Sequence, residues 1–132
     1  MSKGRKPYKL TDISNSDITS LATLYAFKGA QLAYKCTTFD MQAITVIGQN
    51  SGVTAISICH FTGYAKGRIY QRLNKSIERG FIEQTGKNPN KYRLTTKGSF
   101  AYYTFTSNLK ERLDSINKMY SDQEADNRLR YG

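Results

Sequence analysis

The chain has little of what most enzyme chemistry draws on. It carries one histidine, His60, two cysteines, Cys36 and Cys59, and ten acids across 132 residues. A lone histidine with no acidic neighbour in sequence sets up no hydrolytic triad. The acids are scattered, so no carboxylate pair is arranged for acid–base work. Neither a glycine-rich phosphate loop nor a nucleophile elbow occurs. Catalysis is therefore not expected. A structural zinc site takes about four ligands, and two thiols with one imidazole fall short, so no metal or other cofactor is expected. The two thiols lie in apolar surroundings and read as buried, reduced side chains. His60 reads as a partly buried residue at the core edge.

Long apolar runs are missing too. Nothing approaches the roughly 20 residues a bilayer span needs. The basic start, Met1-Ser2-Lys3-Gly4-Arg5-Lys6, is followed by no apolar segment of the kind that makes a secretory signal. A membrane partner is not expected, and the cytoplasm is the expected compartment. With 39% hydrophobic and 12% aromatic residues, the chain still has enough apolar material for one packed domain.

Charge of one sign is what the chain has in excess. Lys and Arg number 20 against ten acids, a formal net charge of +10, which favours a polyanionic partner. The excess is local. From Lys66 to Lys97 nine basic residues face only Glu78 and Glu83, a net of +7, whereas residues 41–65 hold no Asp, Glu, Lys or Arg. The working surface is expected in the basic segment.

The polar, basic residues 1–10, interrupted by Pro7, read as a flexible arm. Ser16 or Asp17 can cap a helix running to about Lys35, with Ile18, Leu21, Ala22, Tyr25 and Leu32 on one face. Gly29 weakens it by about 1 kcal/mol relative to Ala. Thr38 or Asp40 can cap a second helix through Met41, Ile44 and Ile47, ended by the turn formers Gln49 to Gly52. Thr54 caps a third helix, stopped at Gly63. A fourth runs from Ala65 or Lys66 to Arg79 with Ile69, Leu73 and Ile77 as its inner stripe, and Gly80 ends it. Phe81–Gln84 and Lys91–Leu94 read as a hairpin around the turn formers between them. Thr95 or Thr96 opens a last helix of about 25 residues, on which Tyr102, Phe105, Leu109, Leu113, Ile116 and Tyr120 recur at helical steps. The polar residues 121–132 read as a fraying tail.

This order predicts a mainly α fold with a small β-hairpin wing (α+β). It is a winged helix-turn-helix, core about 38–97, within a domain of about 11–120 that includes long N- and C-terminal flanking helices. The helix from Lys66 to Arg79 is the expected groove reader, with Lys66, Arg68, Gln71, Arg72 and Lys75 on its outer side. Arg suits guanine and Gln suits adenine. Gly67 thins the helix start, and Tyr64 and Tyr70 can either stack on the DNA backbone or pack. In the wing, Lys87, Asn88, Asn90, Lys91 and Arg93 can donate to phosphates or to minor-groove acceptors.

Two stretches carry a family likeness. Ile77-Glu78-Arg79-Gly80-Phe81-Ile82 and, after the hairpin, Leu94-Thr95-Thr96-Lys97-Gly98 resemble the MarR-type winged-helix regulators over roughly residues 15–120. The resemblance implies a homodimer formed by the first and last helices, with Leu21, Tyr25, Leu109, Leu113, Ile116 and Tyr120 as interface candidates. It implies double-stranded DNA, a pseudo-palindromic operator, as the partner. It also leaves open a small-molecule effector at the junction near Cys36, which no residue pattern here supports. One departure is plain: that family's wing usually has an Asp-x-Arg pair before its return strand, and this chain has Asn88-Pro89-Asn90-Lys91-Tyr92. The expected role is sequence-specific DNA binding as a transcriptional regulator, repressor-like. The alternatives are a replication, recombination, plasmid or mobile-element factor, an architectural DNA-binding protein, and a winged helix used as a protein-interaction module.

Overall fold

The computed structural model describes residues 15–50 and 52–131, so the expected arm at 1–10 lies outside the described residues. Eight elements follow in chain order: α1 (Asn15–Tyr34), α2 (Thr38–Gln49), β1 (Val53–Thr54), α3 (Ala55–Thr62), α4 (Lys66–Glu78), β2 (Ile82–Gly86), β3 (Lys91–Leu94) and α5 (Thr96–Tyr131).

Helix α1 lies along α5. Its inward face is Ile18, Ala22, Ala26 and Ala30, all buried and spaced four apart as one helical stripe. The expected stripe holds only in part, because Leu21, Tyr25 and Leu32 are exposed. Alanines let the two helices approach closely, and the large side chains are left on the flank. Phe27 anchors the pair by meeting Phe105 edge-on at 6.1 Å.

The cap of α2 lies one residue before Thr38, the first of the two expected candidates, and Asp40, the second, falls inside the first turn. Thr37 is the N-cap, and Asp40 closes a capping box with it. The Asp40 amide donates to Thr37 Oγ1 at 3.1 Å and the Thr37 amide to Asp40 Oδ2 at 3.0 Å. That exchange satisfies two of the donors a helix start leaves open. Thr54 caps α3, and Gly63 ends it in the left-handed region at φ 77°, where a side chain would be strained.

The sheet has three strands rather than two. β1, too short to read from sequence, pairs antiparallel with β3 (Val53 opposite Tyr92), giving the order β1-β3-β2. The core lies between this sheet, α2, α3, α4 and the start of α5, and Met41, Ile44, Ile58, Ile69, Leu73, Phe81, Ile82 and Tyr92 are fully buried in it. Burying one such side chain is worth about 1.5–3 kcal/mol.

Thr95 links sheet to helix. Its amide donates to Phe81 O at 3.1 Å, its hydroxyl to Gly80 O, and it accepts from the Gly98 amide at 3.1 Å. Gly98 sits directly over the chain: a Cβ there would lie 2.0 Å from Phe81 O. That close approach explains the glycine in Leu94-Thr95-Thr96-Lys97-Gly98. Helix α5 then runs 36 residues, about 54 Å at 1.5 Å per residue. The expected frayed tail is helical through Tyr131, since Gln123, Glu124, Ala125 and Arg128 are good helix formers despite their polarity.

Candidate nucleic-acid interface

Helix α4 turns three different faces outward. Ile69, Leu73 and Ser76 are buried, and Ile77 is half-buried. At 100° per residue the line opposite them is Gly67, Gln71, Asn74 and Glu78, all exposed. Arg68, Arg72, Lys75 and Arg79, at steps of four, three and four, form a separate cationic flank. Tyr70 is exposed on the other flank, and Lys66 is exposed at the helix start. The outermost line therefore carries a glycine, two amides and a carboxylate, and no cation. Asn74 belongs to it, although charge counting along the sequence passes it over.

The cationic flank looks onto the start of α2. A cleft of about 360 Å³ opens there between Thr37, Thr38, Phe39, Tyr64, Arg72, Lys75 and Arg79. Tyr64 packs edge-on against Phe39 at 5.0 Å, and the Arg72 guanidinium lies 4.6 Å over the Tyr64 ring. Tyr64 is thus half-buried between Phe39 and Arg72, while Tyr70 is exposed.

Beneath the cleft lies Asp40, fully buried. Arg79 Nε donates to its Oδ2 at 2.7 Å and Arg79 Nη2 to its Oδ1 at 2.8 Å, and Ser76 Oγ also donates to Oδ1. Burial pushes the Asp40 carboxyl up, but the hydrogen bonds from Arg79, Ser76 and the Thr37 amide outweigh it and hold the group below the usual carboxylate range. Asp40 thus fastens the end of α4 to the start of α2. The sequence signal for the near half was the Thr37-x-x-Asp40 capping box. Nothing local points to Ser76 and Arg79, 36 and 39 positions away.

In the wing, the structure divides the five candidates. Lys87, Asn88 and Lys91 are exposed. Arg93 is exposed as well but tied across the strands to Glu83, and half-buried Asn90 accepts from Gln84 Nε2 at 3.1 Å. These two residues brace the hairpin rather than stand free. Tyr92, between them in β3, is buried, and that burial raises its phenol pKa.

The dimer candidates also divide. Leu21 and Tyr25 are exposed, whereas Leu109 packs against the core. Leu113, Ile116 and Tyr120 are half-buried along α5. Between α1 and α5 a groove of about 780 Å³ includes Leu24, Tyr25, Leu32 and Arg112, with the Arg112 guanidinium 3.9 Å over the Tyr25 ring. His60 is exposed on α3, not at the core edge as expected, because it falls on the side of that helix away from Ala55 and Ile58. Cys36 is buried, and burial pushes its thiol up to about 11. Among the described residues no three metal-ligating side chains gather, and no helix is long and apolar enough to cross a membrane.

No protein-family model and no curated protein matches the chain. Solved structures do. The chain superposes on the transcriptional regulator Tm0710 from Thermotoga maritima with a TM-score of 0.67 at 12% identity, covering 85% of this chain and 82% of that one. It matches the multiple antibiotic-resistance repressor MarR from Listeria monocytogenes with a TM-score of 0.60 at 14% identity, over 87% and 89% of the two chains. NadR in complex with 4-hydroxyphenylacetate gives 0.63 at 13% identity, over 95% and 90%. The chain has the winged-helix fold of these MarR-type proteins, flanking helices included.

Proposed function

We propose that this protein is a sequence-specific, double-stranded-DNA-binding transcriptional regulator, repressor-like, that works as a homodimer in the cytoplasm without a cofactor and without catalysis. The observation that carries this reading is the exposed face of α4. On its outer line, between Gly67 and Glu78, Gln71 and Asn74 can present amides to base edges, while Arg68, Arg72 and Lys75 stand on the flank beside that line and Lys66 at the helix start. Lys87, Asn88 and Lys91 extend the same polarity onto the wing. Phosphate contacts of that kind set register and strength, and base-edge contacts set sequence.

Homodimerisation is supported by the apolar side chains left uncovered on α1, Leu21, Leu24, Tyr25 and Leu32, three of which, Leu24, Tyr25 and Leu32, line the groove against α5. Two copies joined along these helices present two α4 helices to one face of the duplex, and a pseudo-palindromic site follows from that symmetry. The solved NadR complex shows that one protein of this fold binds 4-hydroxyphenylacetate; for this chain an effector stays outside the proposal.

The test is selection of bound duplexes from a random pool, followed by sizing of the complex. A palindromic consensus bound by two protomers is the expected result. Equal affinity for the selected and a random duplex at about 150 mM salt would overturn the reading, since counterion release alone accounts for non-specific binding.

A further inference from the structure

We infer that the cleft between α2 and α4 is a seat for a single backbone phosphate, and that Arg72 and Lys75 bind that phosphate rather than read bases. The inference rests on the proposal above that duplex DNA is the partner. Three cations line the cleft, Arg72, Lys75 and Arg79, but they are not equivalent. Arg79 is already committed to Asp40. Arg72 and Lys75 take no part in the ion pairs of the neighbouring elements, Arg79–Asp40 and Arg93–Glu83. Two uncompensated cations therefore face one concavity, and no carboxylate lines it.

The neighbouring groups suit the same ligand. Thr38 brings a hydroxyl whose contact is a long one, from Gln31 Nε2 at 3.5 Å, and the first two amides of α2 have no acceptor within the helix. Thr37, Thr38 and Phe39 at that helix start line the cleft, where the helix dipole favours negative charge. The Tyr64 ring holds the Arg72 guanidinium from below at 4.6 Å, which fixes it in the cleft and away from the outer line of Gln71 and Asn74. The Asp40–Arg79 pair beneath joins the two walls. The volume, about 360 Å³, accommodates one phosphodiester with its flanking sugars. A strand whose groove is occupied by α4 passes along this flank of the helix.

Binding would be measured against salt for the full-length protein with two probes, a selected duplex and a random 20-base-pair duplex, in wild type, Arg72→Gln, Lys75→Gln and the double variant. Lys118→Gln, on the exposed side of α5, controls for net charge. Each single variant is expected to weaken both duplexes by the same factor, about tenfold. The double variant is expected to lose about one unit of the log K against log salt slope, the share of one phosphate. Inorganic phosphate titrated into DNA-free protein should shift the Thr38 and Phe39 amide resonances in wild type and not in the double variant.

A loss of about two units in the double variant overturns the single seat, and weakening confined to the selected duplex makes Arg72 a base reader. A phosphate-induced amide shift with no change in the duplex salt slope assigns the cleft to a free anion, against the proposal. Failure of wild type to tell the two duplexes apart strikes the regulator reading instead, while the salt slope still decides the seat.

Discussion

Replacing Arg79 with Gln tests whether helix α4 is held by the buried carboxylate beneath it. In the native protein Asp40 is fully buried and accepts four hydrogen bonds, two from Arg79 and one each from Ser76 and the Thr37 amide. Arg79→Gln removes the positive charge and leaves a buried carboxylate with two neutral donors. Breaking a buried pair this way costs about 3–5 kcal/mol. The Arg79 side chain is 35% exposed, so solvent already screens part of the attraction, and about 2–3 kcal/mol is the better figure. For 132 residues an unfolding entropy of about 2.1 cal/mol/K per residue turns that into a Tm loss of about 7–11 °C.

The pH dependence separates this cause from lost packing. Asp40 has its carboxyl pKa lowered by folding, so its stabilisation is present above the ordinary carboxylate value of about 4 and is lost as pH falls through the folded value. The gap between wild type and Arg79→Gln should therefore be full at pH 7 and narrow below about pH 4. Urea melts followed by circular dichroism at fixed protein concentration measure it, the concentration being held because dimerisation would shift apparent stability. A second leg is the cycle with Asp40→Leu and the double change Asp40→Leu/Arg79→Leu, in which the double change should cost less than the sum of the singles. A variant within 0.5 kcal/mol of wild type at pH 7, or a gap unchanged at pH 3, refutes the reasoning.

Other expectations follow from single contacts. Gly98→Ala should cost about 3 kcal/mol in the same melts, because its Cβ would meet Phe81 O, a backbone atom that cannot step aside. Gly48→Ala should cost less, since the obstacle there is the Tyr102 ring at 2.6 Å, which can swing. Cys36, buried with its thiol raised to about 11, should resist a disulfide reagent at pH 8 in the folded protein and react once urea unfolds it; rapid native labelling of Cys36 contradicts the burial. Gln71→Ala and Asn74→Ala should each relax base preference at one step by about 1–3 kcal/mol in a selection experiment, whereas uniform weakening across sequences would move those two side chains out of the reading line.

What the sequence shows depends on how strong and how local each signal is. Helix α4 is legible because Ile69, Leu73 and Ile77 repeat at one helical interval between two glycines, Gly63 and Gly80, both at positive φ. The hairpin is legible from the turn formers between Gly86 and Asn90. The inner face of α1 is not, because alanine is a weak hydrophobic signal and the larger Leu21, Tyr25 and Leu32 draw the eye to the wrong flank. Strand β1 is two residues long and exists only through its pairing with β3, a contact made 37 to 39 positions along the chain. The continuation of α5 past Ser121 was obscured by polarity, which says where a helix faces but not where it ends.

The candidate site divides along the same line. Composition marks residues 66–97 as the basic working surface, and charge alone would assign every cation on α4 to the groove. Periodicity corrects this: Arg68, Arg72, Lys75 and Arg79 share one flank, while the line farthest from the core is Gly67, Gln71, Asn74 and Glu78. In the proposed function, position and sequence selectivity fall to different chemistries on one helix, cations for the backbone and amides for the bases. Because Asp40 ties the flank to α2, and α2 packs on α5, the orientation of the reading line is set by the same helix that carries the proposed dimer contact.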